Sequence, residues 1–298
     1  MLRLSNKLKN YLHLHFIIFI WGFTAVLGAL IRIDALPLVW FRVSIATVFI
    51  LGYLLLRNIS LKVSLKELLR FGLGGILIAL HWIAFFYAIK ISNVSITLAT
   101  MSTGALFATL LQFVIYKEKI VFYELLLSVL AIVGLLIIFN AEGSYALGIG
   151  IALIAAFLSA AFAILNVDLV KYHDASVISF YELLVSVLFI SIILVYKGLF
   201  TIAFFTLTTH DWVYMLILAT ICTAYAFVAS TKVLESVSAY TMMLTTNLEP
   251  IYGIVLAVLI FKEQEMMSTH FYWGALLILL TVILNGLLKY KSNVFKTS

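Results

Sequence analysis

The chain has 298 residues, of which 65% are apolar and 11% charged. An ordinary globular domain is about 45–50% apolar and about 25% charged, so a soluble domain is excluded, and at roughly 20 residues per span the length holds about ten transmembrane helices with none to spare. The net charge of +6, in a chain with so few polar residues, suits a membrane surface as an orientation signal and does not suit nucleic acid.

Apolar runs at 13–33, 37–56, 69–89, 95–116, 121–140, 147–167, 176–196, 211–231, 238–261 and 271–288 read as ten spans of an all-α integral membrane protein. The first run follows Arg3, Lys7 and Lys9 and starts like a signal peptide, but no small-residue cleavage site follows, so it reads as a retained helix. Polar breaks fall at Asp34–Pro37, Asn140–Gly143, Thr208–Asp211 and Ser268–Thr269, each a turn between helices. The one cysteine, Cys222, lies inside an apolar run and reads as a small core residue. Ala155, Ser159 and Ala163 recur every four residues in the sixth span, and Ala25 and Ala29 repeat the theme in the first; such small residues let helices approach closely, most simply between two halves.

Ten spans put both termini on one side. Of the 19 Lys and Arg, 14 then share that face, from Arg3 through Lys66 and Lys171 to Lys296; Arg32, Lys90, Lys197 and Lys262 take the other, and Arg42 lies within a span. Short-loop Lys and Arg stay cytoplasmic, so both termini are expected there.

The chain also matches itself. Asp34-Ala35, Phe41-Arg42 and Phe49-Ile50 align at an offset of 140 with Asp174-Ala175, Tyr181-Glu182 and Phe189-Ile190, and Tyr116-Lys117-Glu118 aligns at 145 with Phe261-Lys262-Glu263. Spans one to five thus pair with six to ten, as units 13–140 and 147–289. Five is odd, so the halves are expected to sit upside down relative to one another, an architecture of transporters with a site at mid-depth.

Trp21-Gly22, Arg42, the Lys117-Glu118 and Lys262-Glu263 ends and the run Asn247-Leu248-Glu249-Pro250-Ile251-Tyr252-Gly253 together resemble the EamA family of the drug/metabolite transporter superfamily, over nearly the whole chain. The resemblance implies a small-molecule transporter, often an exporter of amino acids or other metabolites, with a cavity between the halves. One departure stands out: Gly104-Ala105 replaces Glu249-Pro250 in the first half, so a kink there is not expected.

Glu249 is the most informative residue. It falls near the bilayer centre, where an ionised carboxylate costs at least about 2.5 kcal/mol, and Pro250 after it frees a backbone carbonyl near Thr246. The polar notch serves a substrate or a coupling proton, or else locks helices together. Arg42 either holds a substrate carboxylate in a bidentate fork or pairs with an acid or snorkels; Glu182 allows the same alternatives with opposite charge. Trp21, His81, Trp82, Tyr87, Met101, Gln112, Asn166, Tyr225, Asn247 and Tyr252 add polar or aromatic edges suited to a cavity wall, though Trp and Tyr also pack cores. Asn166 and Asn247 stand out because a buried amide needs a partner. The other histidines lie near span ends, which leaves His81 without a second axial ligand for haem.

The leading class is therefore a secondary transporter with a small-molecule substrate, a bilayer as its surroundings, no cofactor and no metal. Its rivals are a membrane enzyme, a channel and a non-transporting scaffold. No nucleophile with a base, no paired aspartates at metal spacing, no phosphate loop and no filter-like segment occurs, so an energy source must be a gradient, with proton coupling through Glu249 as one form.

Overall fold

The computed structural model describes residues 6–117, 122–246 and 248–296. Among them every regular element is a helix. The first half holds α1 (Asn6–Leu30), α2 (Ala35–Leu56), α3 (Leu65–Ile91), α4 (Val94–Met101), α5 (Gly104–Tyr116) and α6 (Phe122–Ala141). The second holds α7 (Ala146–Leu169), α8 (Ala175–Tyr196), the single turn α9 (Ile202–Phe205), α10 (Thr209–Ala219), a π-helical stretch at Thr220–Tyr225, α11 (Ala226–Val233), α12 (Ala239–Thr246), α13 (Glu249–Phe261) and α14 (Thr269–Lys296). Seven stretches among the described residues are long and apolar enough to cross a membrane: Lys9–Leu30, Ala35–Leu56, Leu65–Ile91, Val94–Tyr116, Gly143–Leu169, Ala175–Tyr196 and Thr209–Val233.

The sequence repeat reappears in the chemistry of the helix ends. Asp34 and Asp174 are the N-caps of α2 and α8. These helices end alike: Asn58 (φ 52°) and Gly198 (φ 63°) take the left-handed conformation, with N–H bonds from Asn58 to Leu55, Ile59 to Leu54, Gly198 to Val195 and Leu199 to Leu194, the Schellman closure of a helix terminus. Asn93 and Ser238 cap α4 and α12 through their side chains. Lys117 and Lys262 end α5 and α13 with φ of 54° and 52°.

The absence of a first-half proline does not keep the fourth span straight. The chain breaks between Met101 and Gly104 just as it breaks between Thr246 and Glu249. Thr103 N–H donates to Thr100 O, Leu106 and Phe107 N–H to Thr103 O, and at an offset of 145 Leu248 N–H donates to Thr245 O, and Ile251 and Tyr252 N–H to Leu248 O. Thr100 and Thr245 return their hydroxyls to the carbonyls four residues back, at 2.8 Å each. Hydroxyl side chains and short turns thus do in the first half what sequence reading reserved for proline. Nor does Pro250 kink a continuous helix: it stands in the first turn of α13, where its missing N–H has no carbonyl to lose.

Helix α3 packs on α7 and α8, α2 on α8, α1 on α13, and α6 on α14. Two approaches demand glycine. A Cβ on Gly75 would meet the Glu182 carbonyl oxygen at 2.4 Å, and one on Gly134 would meet the Gly274 carbonyl oxygen at 2.8 Å. The stripe Ala155, Ser159 and Ala163 turns toward the first half: His81 of α3 bonds the Ala155 carbonyl, and Ser159 and Ala163 face the cavity described next.

Candidate functional site

A cavity of about 820 Å³, counting its open mouth, lies where the halves meet. Helix α1 supplies Trp21 and Thr24, α2 Arg42, α3 Ile78, His81, Trp82 and Phe85, and α4 Met101. From the second half come Ser159, Phe162 and Ala163 of α7, Cys222 of the π-helical stretch, Phe227, Ser230 and Thr231 of α11, Met242, Met243 and Thr246 of α12, and Glu249 of α13. The lining reaches Leu234, just past the end of α11, beside the turn where Ser236 accepts a hydrogen bond from Asn10 at 2.7 Å. It therefore extends from mid-depth toward the face that carries the start of α1.

Arg42 is 1% exposed and neither snorkels nor pairs with an acid: among the described residues no carboxylate comes within 4.0 Å of it. Its Nε–H donates to Thr223 Oγ1 at 2.5 Å, and its Cζ stands 4.2 Å from the Trp82 ring centroid and 5.4 Å from that of Phe86, a cation–π arrangement. Thr223 in turn donates to Leu218 O, five residues back, at 2.6 Å. That spacing belongs to the π-helical register, and such bulges recur where a helix must aim one side chain. Nη1 of Arg42 is buried and has no hydrogen-bond partner.

Glu249 is the first residue of α13, so it sits at the positive end of that helix dipole, which favours a carboxylate. His81 donates from Nδ1 to the Ala155 carbonyl at 2.8 Å, which leaves Nε2 as an acceptor, and its ring stacks on Phe85 with centroids 6.0 Å apart. Trp82 leans on Phe227, centroids 5.5 Å apart.

Six of the thirteen residues singled out in the sequence, Trp21, Arg42, His81, Trp82, Met101 and Glu249, converge on this cavity. Asn166 and Glu182 do not. They form their own buried pair, Asn166 Nδ2 donating to Glu182 Oε1 at 2.9 Å, wedged against Gly74 of α3, where a Cβ would meet that oxygen at 2.2 Å. Tyr225 turns outward, 44% exposed, and its hydroxyl bonds His13 Nε2 at 2.8 Å. Tyr252 packs edge-on against Phe19, centroids 5.4 Å apart, with its Cβ against Gly22. Asn247 lies outside the described residues. Sequence reading passed over Thr223, Ser230, Thr231, Met242 and Met243; Thr223, Ser230 and Thr231 carried a signal, as hydroxyls inside an apolar run.

At the opposite end the halves are stitched shut. Glu265, 4% exposed, follows α13 and accepts N–H bonds from Val94 and Ser95 at 2.8 and 2.9 Å, holding the N-terminus of α4. Asp211 Oδ1 accepts the Arg32 N–H across the halves at 2.9 Å, and within the first half Lys90 Nζ donates to Ile31 O. Trp40, Phe41, Phe200, Phe204 and Trp212 cluster at this end, as interfacial aromatics do.

A sequence profile of the EamA-like transporter family matches the chain twice, over residues 10–140 and 146–287. No curated protein matches it. One solved structure, titled only as a crystal structure of a protein, has a TM-score of 0.71 at 14% identity, covering 95% of this chain and 99% of that one. That likeness is one of fold alone.

Proposed function

Because this chain belongs to the EamA-like transporter family, we propose that it is a secondary carrier that exports a small metabolite such as an amino acid by alternating access at the cavity between its halves. The observation that carries the proposal is one cavity, fed by both halves, whose apolar and aromatic wall holds an arginine and a glutamate, Arg42 and Glu249. A polar solute leaving water needs such groups, and a membrane interior tolerates them only where they face a cavity or one another. The mouth toward the face that bears the amino terminus and the stitched opposite end describe the loading state of an exporter if that face is cytoplasmic, as the 14 to 4 distribution of Lys and Arg supports. In this reading units 13–140 and 147–289 are inverted five-span repeats, the ten spans lie in the cell membrane with both termini inside, and no chemical step is catalysed. The recurrence of helix-end hydrogen bonds at offsets of 140 and 145 supports the repeat.

Glu249→Gln separates the roles of the carboxyl. If Glu249 carries a coupling proton, the variant in proteoliposomes loses accumulation driven by a pH gradient but keeps counterflow; if it binds a cationic group, counterflow fails as well. Wild-type transport under both conditions, with unchanged melting, removes Glu249 from the site. Release of a chemically altered product during counterflow would favour a membrane enzyme.

A further inference from the structure

We propose that the cavity recognises its ligand by an anionic group, carboxylate in class, docked end-on against the terminal nitrogens of Arg42, and that Thr223 is the positioning residue that presents them. The inference rests on the carrier reading for its biology but on the Arg42 environment for its chemistry. A guanidinium has five N–H donors in a rigid plane. Here the Nε edge is taken by Thr223, one face is covered by Trp82, and Nη1 is buried without a partner. The donors that the protein leaves unused are therefore at the Nη end, and of the two bidentate forks a guanidinium offers, the side-on one through Nε is closed by the Thr223 hydroxyl.

The charge balance points the same way. Arg42 is buried with no carboxylate within 4.0 Å among the described residues, and an unpaired buried cation is strongly unfavourable. Glu249 shares the cavity yet stays beyond ion-pair distance, so a bound anion supplies the missing counter-charge without displacing an existing salt bridge. Thr231, whose hydroxyl is also buried and unpartnered, is a further donor among the residues that line the cavity. Thr223 earns its role through the π-helical register: accepting from Arg42 while donating to Leu218 five residues back fixes the direction of its oxygen, and with it the plane of the guanidinium.

The test uses isosteric probes, benzoate, benzamide and benzylamine, titrated calorimetrically into the purified full-length protein in nanodiscs. Benzoate is expected to bind about tenfold tighter than benzamide, the scale of a charge-assisted hydrogen bond. Thr223→Val, which keeps shape and removes the hydroxyl, should bring that ratio near one through loss of benzoate affinity alone, and Thr223→Ser should restore it. Should the valine variant fail to fold, Thr223→Ser must keep the ratio and Arg42→Gln must abolish it. Equal binding of benzoate and benzamide to the wild type, no binding of either, tighter binding of benzylamine, or a valine variant that weakens both probes equally overturns the proposal. Benzoate preference without exchange of benzoate in proteoliposomes would instead overturn the carrier reading and leave the anion site standing.

Discussion

Replacing Glu265 with Gln should loosen the closed end of the molecule by a calculable amount. The carboxylate accepts two buried N–H bonds, from Val94 and Ser95, at 2.8 and 2.9 Å. Glutamine keeps one carbonyl oxygen for one of these donors and turns its NH2 group toward the other, so one amide is left buried and unpaired. Hydrogen bonds to charged groups contribute about 1.5–3 kcal/mol each, and the carboxylate also loses its favourable place at the N-terminus of α4. A loss of about 2 kcal/mol corresponds to roughly a 30-fold rise in the population of the opened end. Hydrogen exchange of a peptide spanning 92–101, followed by mass spectrometry, reads that population directly: the amides of α4's first turn should exchange about 30-fold faster, while a peptide from the middle of α7 stays unchanged. Aspartate, one methylene shorter, should behave like glutamine. If exchange at Val94 and Ser95 is unaltered in Glu265→Gln, the carboxylate is not what holds this end, and the stitched-end argument fails.

Gly75→Ala should destabilise the protein by about 1–3 kcal/mol, because its methyl group would strike the Glu182 backbone, whereas Gly52→Ala, with nothing within 4 Å, should be neutral or stabilising by up to about 1 kcal/mol; paired melting curves in detergent decide between equal and opposite effects. Trp21→Ala should weaken ligand affinity with little change in melting, and Tyr252→Ala, whose ring packs on Phe19, should do the reverse, so equal effects of the two on affinity would refute the assignment of cavity wall and scaffold. Single cysteines near Lys197 and Glu142, in a background lacking Cys222, should react with an impermeant reagent added outside whole cells, and cysteines near Lys66 and Lys291 should not; labelling of both sets, or the reverse, refutes the orientation.

What could be read from the amino acids alone was what interrupts a hydrophobic background. Arg42 and Glu249 are conspicuous because a charge in an apolar run demands a partner or a cavity, and both face the cavity. Asp34 and Asp174, Lys117 and Lys262 announced the repeat because helix ends use a small set of residue types. The parts that the amino acids alone did not reveal depend on rotation about a helix axis or on contacts between distant segments. Tyr225 and Cys222 are only three residues apart, yet the π-helical register turns the tyrosine to the outside and the cysteine to the cavity. Asn166 and Glu182 carry the same polar signal as Arg42, but α3 approaches them through Gly74 and Gly75 and closes them off. Glu265 drew no attention in the sequence, since its partners lie about 170 residues away. The first-half break escaped notice because threonines at 100 and 103 end a helix less conspicuously than proline does.

The twin breaks at Met101–Gly104 and Thr246–Glu249 also determine how much dehydration a solute undergoes on entering. A helix end leaves up to four amides or four carbonyls without intrahelical partners, and in hydrocarbon each such group would cost several kcal/mol. Here two helices end and restart beside one another, with Gly104 close enough that a Cβ would meet Met243 at 2.6 Å, and the breaks bring Met101, Thr246 and Glu249 to the cavity wall, so that helix-end polar groups border the cavity. A polar solute arriving there would trade part of its hydration shell for hydrogen bonds to these groups, so its barrier would be set by exchange of partners instead of by stripping to the oil-like state that the surrounding bilayer would impose.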